Sequence, residues 1–140
     1  MDFNETFFLD WLLRDQPEMR IALSRRETYE DFDKFRAIKI MLAEAAKAAS
    51  TPFPDEEVSI ERNSIKYYHR GYEESRLSLL GLANSNGLFD DFFTEYALPE
   101  VLEFQPDVIG LSITHPAQTL PSARFARRIR EVSPETIIIA

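Results

Sequence analysis

The sequence predicts an α/β fold: part of a doubly wound parallel sheet, preceded by a helix-rich N-terminal portion. Three observations carry that prediction. After Pro106, the run Asp107 to Ser112 places Val108, Ile109 and Leu111 together, which fits a short strand buried on both faces. Thr136 to Ala140 reads TIIIA, a second run rich in β-branched residues. Between them a helix is expected, with Pro121 near its first turn, where the missing N–H does no harm. Leu120, Ala126, Ile129 and Val132 lie along one side of it, and Arg124, Arg127, Arg128 and Glu131 along the other. One face would cover a sheet and the other meet water. Strand, helix and strand in this order make a βαβ unit, and such units belong to larger sheets covered on both faces. The chain therefore reads as one partial domain, residues 1–140, truncated at both ends, with 1–104 the helix-rich segment and 105–140 the βαβ unit.

Taken in order, residues 3–14 put Phe3, Phe7 and Trp11 on one helical face, joined by Phe8 and Leu12, with Asn4 available as a cap. Asp15-Gln16-Pro17 ends that helix. Thr28 to Ser50 is the longest helical pattern; it opens with a capping-box-like Thr28-x-x-Asp31 and repeats Phe32, Phe35, Ile38, Leu42, Ala45 and Ala49 on one stripe. Residues 55–71 carry no clear period, and irregular structure is expected there. Within them Lys66-Tyr67-Tyr68-His69-Arg70 mixes aromatic and basic groups; such a cluster can stack on a ligand or simply pack its rings on the helices. A short helix over 73–83 is closed by Asn84-Ser-Asn-Gly87. Phe89, Phe92, Phe93 and Tyr96 then recur at helical spacing until Pro99, which should kink or restart the helix. Asp90, Asp91 and Glu95 read as first-turn acids facing water.

Composition removes several classes of function. With 44% hydrophobic residues the chain can bury a core. A formal net charge of −8 disfavours a nucleic-acid partner, which needs clustered Lys and Arg. The absence of cysteine excludes disulfides, thiolate zinc sites and Cys-held iron–sulfur clusters within these residues. No run has transmembrane length, and the acidic start lacks the plan of a signal peptide, so the cytoplasm is the default location. No Gly-rich phosphate loop or Gly-x-Ser-x-Gly elbow occurs.

The loop from Ser112 to Thr119 leaves the carboxyl end of the first βαβ strand, where open α/β sheets bind their ligands. Ser112 and Thr114 offer hydroxyls, His115 an imidazole, Gln118 an amide and Thr119 a helix cap. The same residues could hold a ligand or could only make the turn and cap the helix.

The run PDVIGLSITHPAQTLPSARFARRIREVSPETIIIA resembles the central part of the cobalamin-binding domain that precedes the radical SAM domain in many B12-dependent radical SAM proteins. Upstream, LFDDFFTEYALPEVLEFQ resembles the helix that family places before the strand, particularly in members that mature ribosomally made peptides. The resemblance extends over about the last 55 residues and is weak over about the first 80. It implies a flavodoxin-like, cobalamin-binding type of sheet, with cobalamin lying across the strand ends and its edges held by Ser112, Thr114, His115, Gln118 and Thr119. Ser112 matches by position the serine that the family uses near the nucleotide tail. The Asp-x-His-x-x-Gly motif that supplies a cobalt ligand in methionine synthase and the mutases is absent. His115 has Ile113 two positions before it, with no carboxylate there to orient the ring, and no residue is assigned to a metal.

The function expected is that of a cobalamin-binding part of a B12-dependent radical SAM enzyme, not catalytic alone. S-adenosylmethionine and a four-iron–four-sulfur cluster would belong to sequence beyond Ala140. Expected partners are cobalamin, a downstream radical SAM domain and a peptide substrate, with no nucleic acid and no membrane. Self-association through unpaired strands is also expected. The competing expectation is a helical module in residues 1–104 that binds a protein or peptide and no cofactor.

Overall fold

The structure is a computed structural model and describes residues 12–14, 16–61, 64–72 and 75–140. The chain runs through α1 (Pro17–Leu23), α2 (Arg26–Glu30) and α3 (Phe32–Ser50) into an antiparallel hairpin of β1 (Glu56–Glu61) and β2 (Ser64–His69). After α4 (Arg76–Ala83) comes a helix in three parts: α5 (Asp90–Phe92), a π-helical turn over Phe93–Ala97 and α6 (Leu98–Phe104). The chain closes with β3 (Val108–Gly110), a 3₁₀ turn (Pro116–Gln118), α7 (Thr119–Val132) and β4 (Ile137–Ile139). The mixed helix-and-strand class is as expected. β3 and β4 pair in parallel, Val108 opposite Ile137 and Gly110 opposite Ile139, with α7 as the crossover between them. Among the described residues this sheet has two strands.

Of the aromatic helix expected over 3–14, only Leu12, Leu13 and Arg14 are among the described residues. The interruption expected at Pro99 is present: the π-helical turn ends at Ala97 and α6 restarts with the proline in its first turn.

Several local expectations are overturned, each for a reason visible in the packing. Residues 55–71 are a regular hairpin. Glu56 pairs with His69, Val58 with Tyr67 and Ile60 with Ile65, so six alternating side chains share the inward face. The alternation is masked in sequence because a Glu and a His occupy two of the inward positions. The long helix begins at Phe32, not Thr28. Asp31 takes an extended conformation and its carboxylate accepts from the Lys34 N–H at 3.0 Å, while Thr28 is buried and donates to the Ala22 carbonyl at 2.6 Å. Phe32 at the new start is exposed, and the buried stripe is Ile38, Leu42, Ala46 and Ser50.

The βαβ strands are covered on one face only. Ile109 is buried and Ile138 half-buried against Phe125 and Ile129 of α7, whereas Val108, Ile137 and Ile139 are more than half exposed. Val132, expected on the covering side of the helix, is exposed at its end. Asp90 does not face water: it is buried, accepts from the Gly87 N–H at 2.8 Å and pairs with Arg128 at 3.2 Å.

The largest correction concerns Arg124, expected on the solvent side of α7 and in fact 1% exposed. Its Nη1 donates to Glu56 Oε1 at 2.7 Å, its Nε to the Leu82 carbonyl at 3.1 Å and its Nη2 to Ser85 Oγ at 3.1 Å. Glu56 Oε2 in turn accepts from the Leu88 N–H at 2.9 Å. One guanidinium thus ties α7, the hairpin and the turn after α4. Gly87 is required by this contact, since a Cβ there would lie 1.7 Å from Arg124 Nη1. Around it the main core joins Val58, Leu88, Phe89, Phe92, Phe93, Phe125 and Ile129, with Phe93 stacked on Phe125 at 4.9 Å between centroids.

Removing one partner of a buried ion pair leaves a charge without compensation. Arg124→Met should therefore lower stability by about 3–5 kcal/mol. Arg124→Met combined with Glu56→Gln should recover part of that loss, both being read from urea denaturation midpoints. A double variant no more stable than Arg124→Met would show that the guanidinium acts by packing alone.

Candidate functional site

β3 is followed by an irregular segment, Leu111–Thr114, and then the 3₁₀ turn that leads straight into α7. His115 caps that turn. Its Nδ1 accepts from the Ala117 N–H at 3.2 Å, so the neutral ring carries its proton on Nε2. Gln118 completes a capping box: its Oε1 accepts from the His115 N–H at 3.1 Å, the Thr114 N–H at 2.8 Å and the Thr114 hydroxyl at 3.2 Å. One amide oxygen thus fixes the whole bend.

The five loop residues expected to bind a ligand divide by role. Thr114, His115 and Gln118 are joined by the capping box. Thr119, expected as a cap, is the first residue of α7, because the 3₁₀ turn before it already supplies the helix start. Ser112 is exposed beside them. Thr114, His115 and Thr119 line an open depression of about 490 Å³ together with Ile113, Pro116 and, from the other side, Tyr72, Arg76 and Leu79. Ser112 and Gln118 lie outside that lining. Tyr72 and Arg76 were missed in sequence. They precede His115 by about forty positions and reach it because β2, which Tyr72 follows, packs on the 3₁₀ turn and α4, which carries Arg76, packs on α7.

Chemically, the depression offers a phenol, a guanidinium, two threonine hydroxyls and an imidazole over an apolar floor of Leu79, Ile113 and Pro116. This set can bind polar or anionic edges of a ligand and stack on a flat one.

The aromatic and basic run at 66–70 does not form a second site. Strand alternation splits it: Tyr67 and His69 turn inward, while Lys66, Tyr68 and Arg70 are exposed. Buried His69 accepts the Gly71 N–H on Nδ1 at 3.0 Å and holds Nε2 3.9 Å from Glu56 Oε1. The Tyr67 ring packs edge-on against Phe89, and its hydroxyl accepts from Arg124 Nη1 at 3.4 Å. Burial pushes the Tyr67 hydroxyl well above its ordinary pKa of 10.0; the nearby Glu56 charge raises it further and Arg124 opposes. Glu56, Tyr67, His69 and Arg124 are engaged with one another and with backbone, which is the pattern of a structural network.

Among the described residues no group of three or more His, Asp or Glu is placed to hold a metal ion, and no helix is long and apolar enough to cross a membrane. No protein-family model, curated protein or solved structure matches the chain.

Gln118→Ala should leave three donors without their acceptor, destabilising the chain by about 1–2 kcal/mol and speeding amide exchange at Thr114 and His115 ahead of the rest of the loop. Unchanged exchange at both amides would show that the capping box does not hold the bend. Tyr67 gives a prediction on the alkaline side. A folded pKa raised above the unfolded value adds stability that is fully present below pH 10.0 and is lost as the pH rises beyond it. The denaturation midpoint should fall above that pH, and the fall should be shallower in Tyr67→Phe.

Proposed function

We propose that this chain is a cobalamin-binding portion of a cytoplasmic B12-dependent radical SAM enzyme, and that it binds and orients the cofactor without itself being catalytic. The observation that carries the reading is the parallel β3–α7–β4 unit with a polar, internally braced loop and an open depression at the carboxyl end of β3. The family resemblance of residues 106–140 supports it.

The residues present fit part of such a ligand. A depression of about 490 Å³ suits one edge of a corrinoid, its amide arms or its nucleotide tail, and not the whole. Thr114, Thr119, His115 and Arg76 supply hydrogen-bonding groups at that edge, Tyr72 a ring to lie against it, and exposed Ser112 a further hydroxyl beside it. When bound, cobalamin would supply a cobalt centre for group transfer. The loop would hold the cofactor's periphery, and Gln118 would keep the loop in one shape while it does so. S-adenosylmethionine, the iron–sulfur cluster and a peptide substrate would be handled by a downstream radical SAM domain.

The competing reading, a helical module that binds protein or peptide and no cofactor, draws on the exposed Leu77 and Leu80 of α4.

Titrating hydroxocobalamin into the full-length protein separates the two. A change in its visible absorption on binding is expected, and an unaltered spectrum at saturating protein would sink the cobalamin reading and leave the interaction module. Ser112→Ala should weaken cobalamin binding by about 1 kcal/mol, the net worth of one hydrogen bond. The melting temperature should not move, since this side chain is exposed. Unaltered affinity in that variant would remove Ser112 from the site.

A further inference from the structure

Two hollows, neither of them lined by the 112–119 loop, adjoin across Val101 and Pro106. One, of about 360 Å³, lies between the end of α6 and the turn from α7 to β4; the other, of about 400 Å³, lies between α6 and β3. Their rims expose large apolar side chains: Leu102, Val108, Val132 and above all Phe104, which is 83% exposed. α6 ends directly after Phe104, at Gln105 in the left-handed conformation with φ 48°. The charged residues lining the two hollows are Glu100, Asp107 and Glu135, all acidic. All three are exposed, and among the described residues none of them is ion-paired. Arg130, on the adjoining helix end, has its Nη1 tied to the Pro134 carbonyl at 2.6 Å.

We infer that this surface docks a cationic amphipathic helix of a protein partner. Apolar side chains on successive turns of such a helix would enter the two hollows and meet Phe104, Leu102 and Val132, while its Lys or Arg residues would face the three carboxylates. The charge pattern selects this occupant. An apolar surface whose three lining charges are all acidic, against the one cation Arg130 beside them, disfavours a second copy of itself and an anionic lipid surface, and it attracts a basic helix in a salt-dependent way. The inference does not rest on the cobalamin reading, since neither hollow is lined by a residue of the 112–119 loop.

The test uses a fluorescein-labelled peptide of Lys and Leu at helical spacing, titrated with the full-length protein by anisotropy at low and high salt. A Glu and Leu peptide of the same pattern is the control. The Lys/Leu peptide should bind and the control should not. Glu100→Lys/Asp107→Lys/Glu135→Lys should raise the Kd at least tenfold, and Phe104→Ser several-fold. A distal triple, Glu18→Lys/Glu44→Lys/Glu57→Lys, changes the net charge equally and should leave the Kd in place. Equal loss in both triples, retention in the first, or no binding of the Lys/Leu peptide would overturn the proposal. So would a concentration-dependent dimer, seen by sedimentation, that Phe104→Ser abolishes, because the face would then belong to a second copy. Melting curves confirm that each variant is folded; if the first triple is not, Phe104→Ser against the distal triple decides.

Discussion

The junction of the hairpin, the turn after α4 and the crossover helix α7 depends on one buried contact, the ion pair between Glu56 and Arg124. It joins residues 68 positions apart. The hairpin, the turn after α4 and the crossover helix α7 meet on the two side chains, and the turn amides at Gly87 and Leu88 are placed around them. In a low-dielectric interior such a pair is tolerable only when its remaining hydrogen-bonding capacity is filled, and Leu82, Ser85, Tyr67 and Leu88 fill it. The phenylalanine core is built beside that network, with Phe89 and Phe125 each one position from a residue of it.

That contact also explains what could be read from the sequence. Where local chemistry decides structure, the reading held: the βαβ order, the break at Asn84–Gly87, the restart at Pro99 and the burial of Leu120 and Ile129 on α7 follow from periodicity and proline. Where a distant partner decides, it did not. Arg124 falls on the polar side of α7 by pattern, and only Glu56, far upstream, makes its burial possible. Glu56 and His69 likewise disguised the period of the hairpin, because an inward Glu reads as an outward one until its partner is known. Asp90 was misplaced for the same reason, its partner Arg128 lying on α7. The start of α3 was misplaced at Thr28, which is drawn instead to the Ala22 carbonyl, while Asp31, read only as the box partner, is the residue that caps the helix.

The candidate site was legible in half. A polar loop after a short apolar strand can be recognised from one stretch of chain, and Thr114, His115 and Thr119 do reach the wall of a depression. The opposite wall, Tyr72 and Arg76, comes from a segment with no motif of its own and is placed by the packing of β2 on the 3₁₀ turn and of α4 on α7. Ser112, the residue that the family resemblance singles out, stands beside that depression rather than in it. The apolar and acidic surface beside α6 was not legible either, because it gathers Glu100 from that helix, Asp107 from the bend before β3 and Glu135 from the turn before β4.

The threefold acceptance by Gln118 Oε1 has a kinetic meaning. A loop held by its own hydrogen bonds is in its final shape before any ligand arrives, so little conformational entropy is lost at the moment of encounter. For a ligand that bound there, association would be limited by diffusion and orientation rather than by a slow rearrangement, and related ligands would differ in how long they stay.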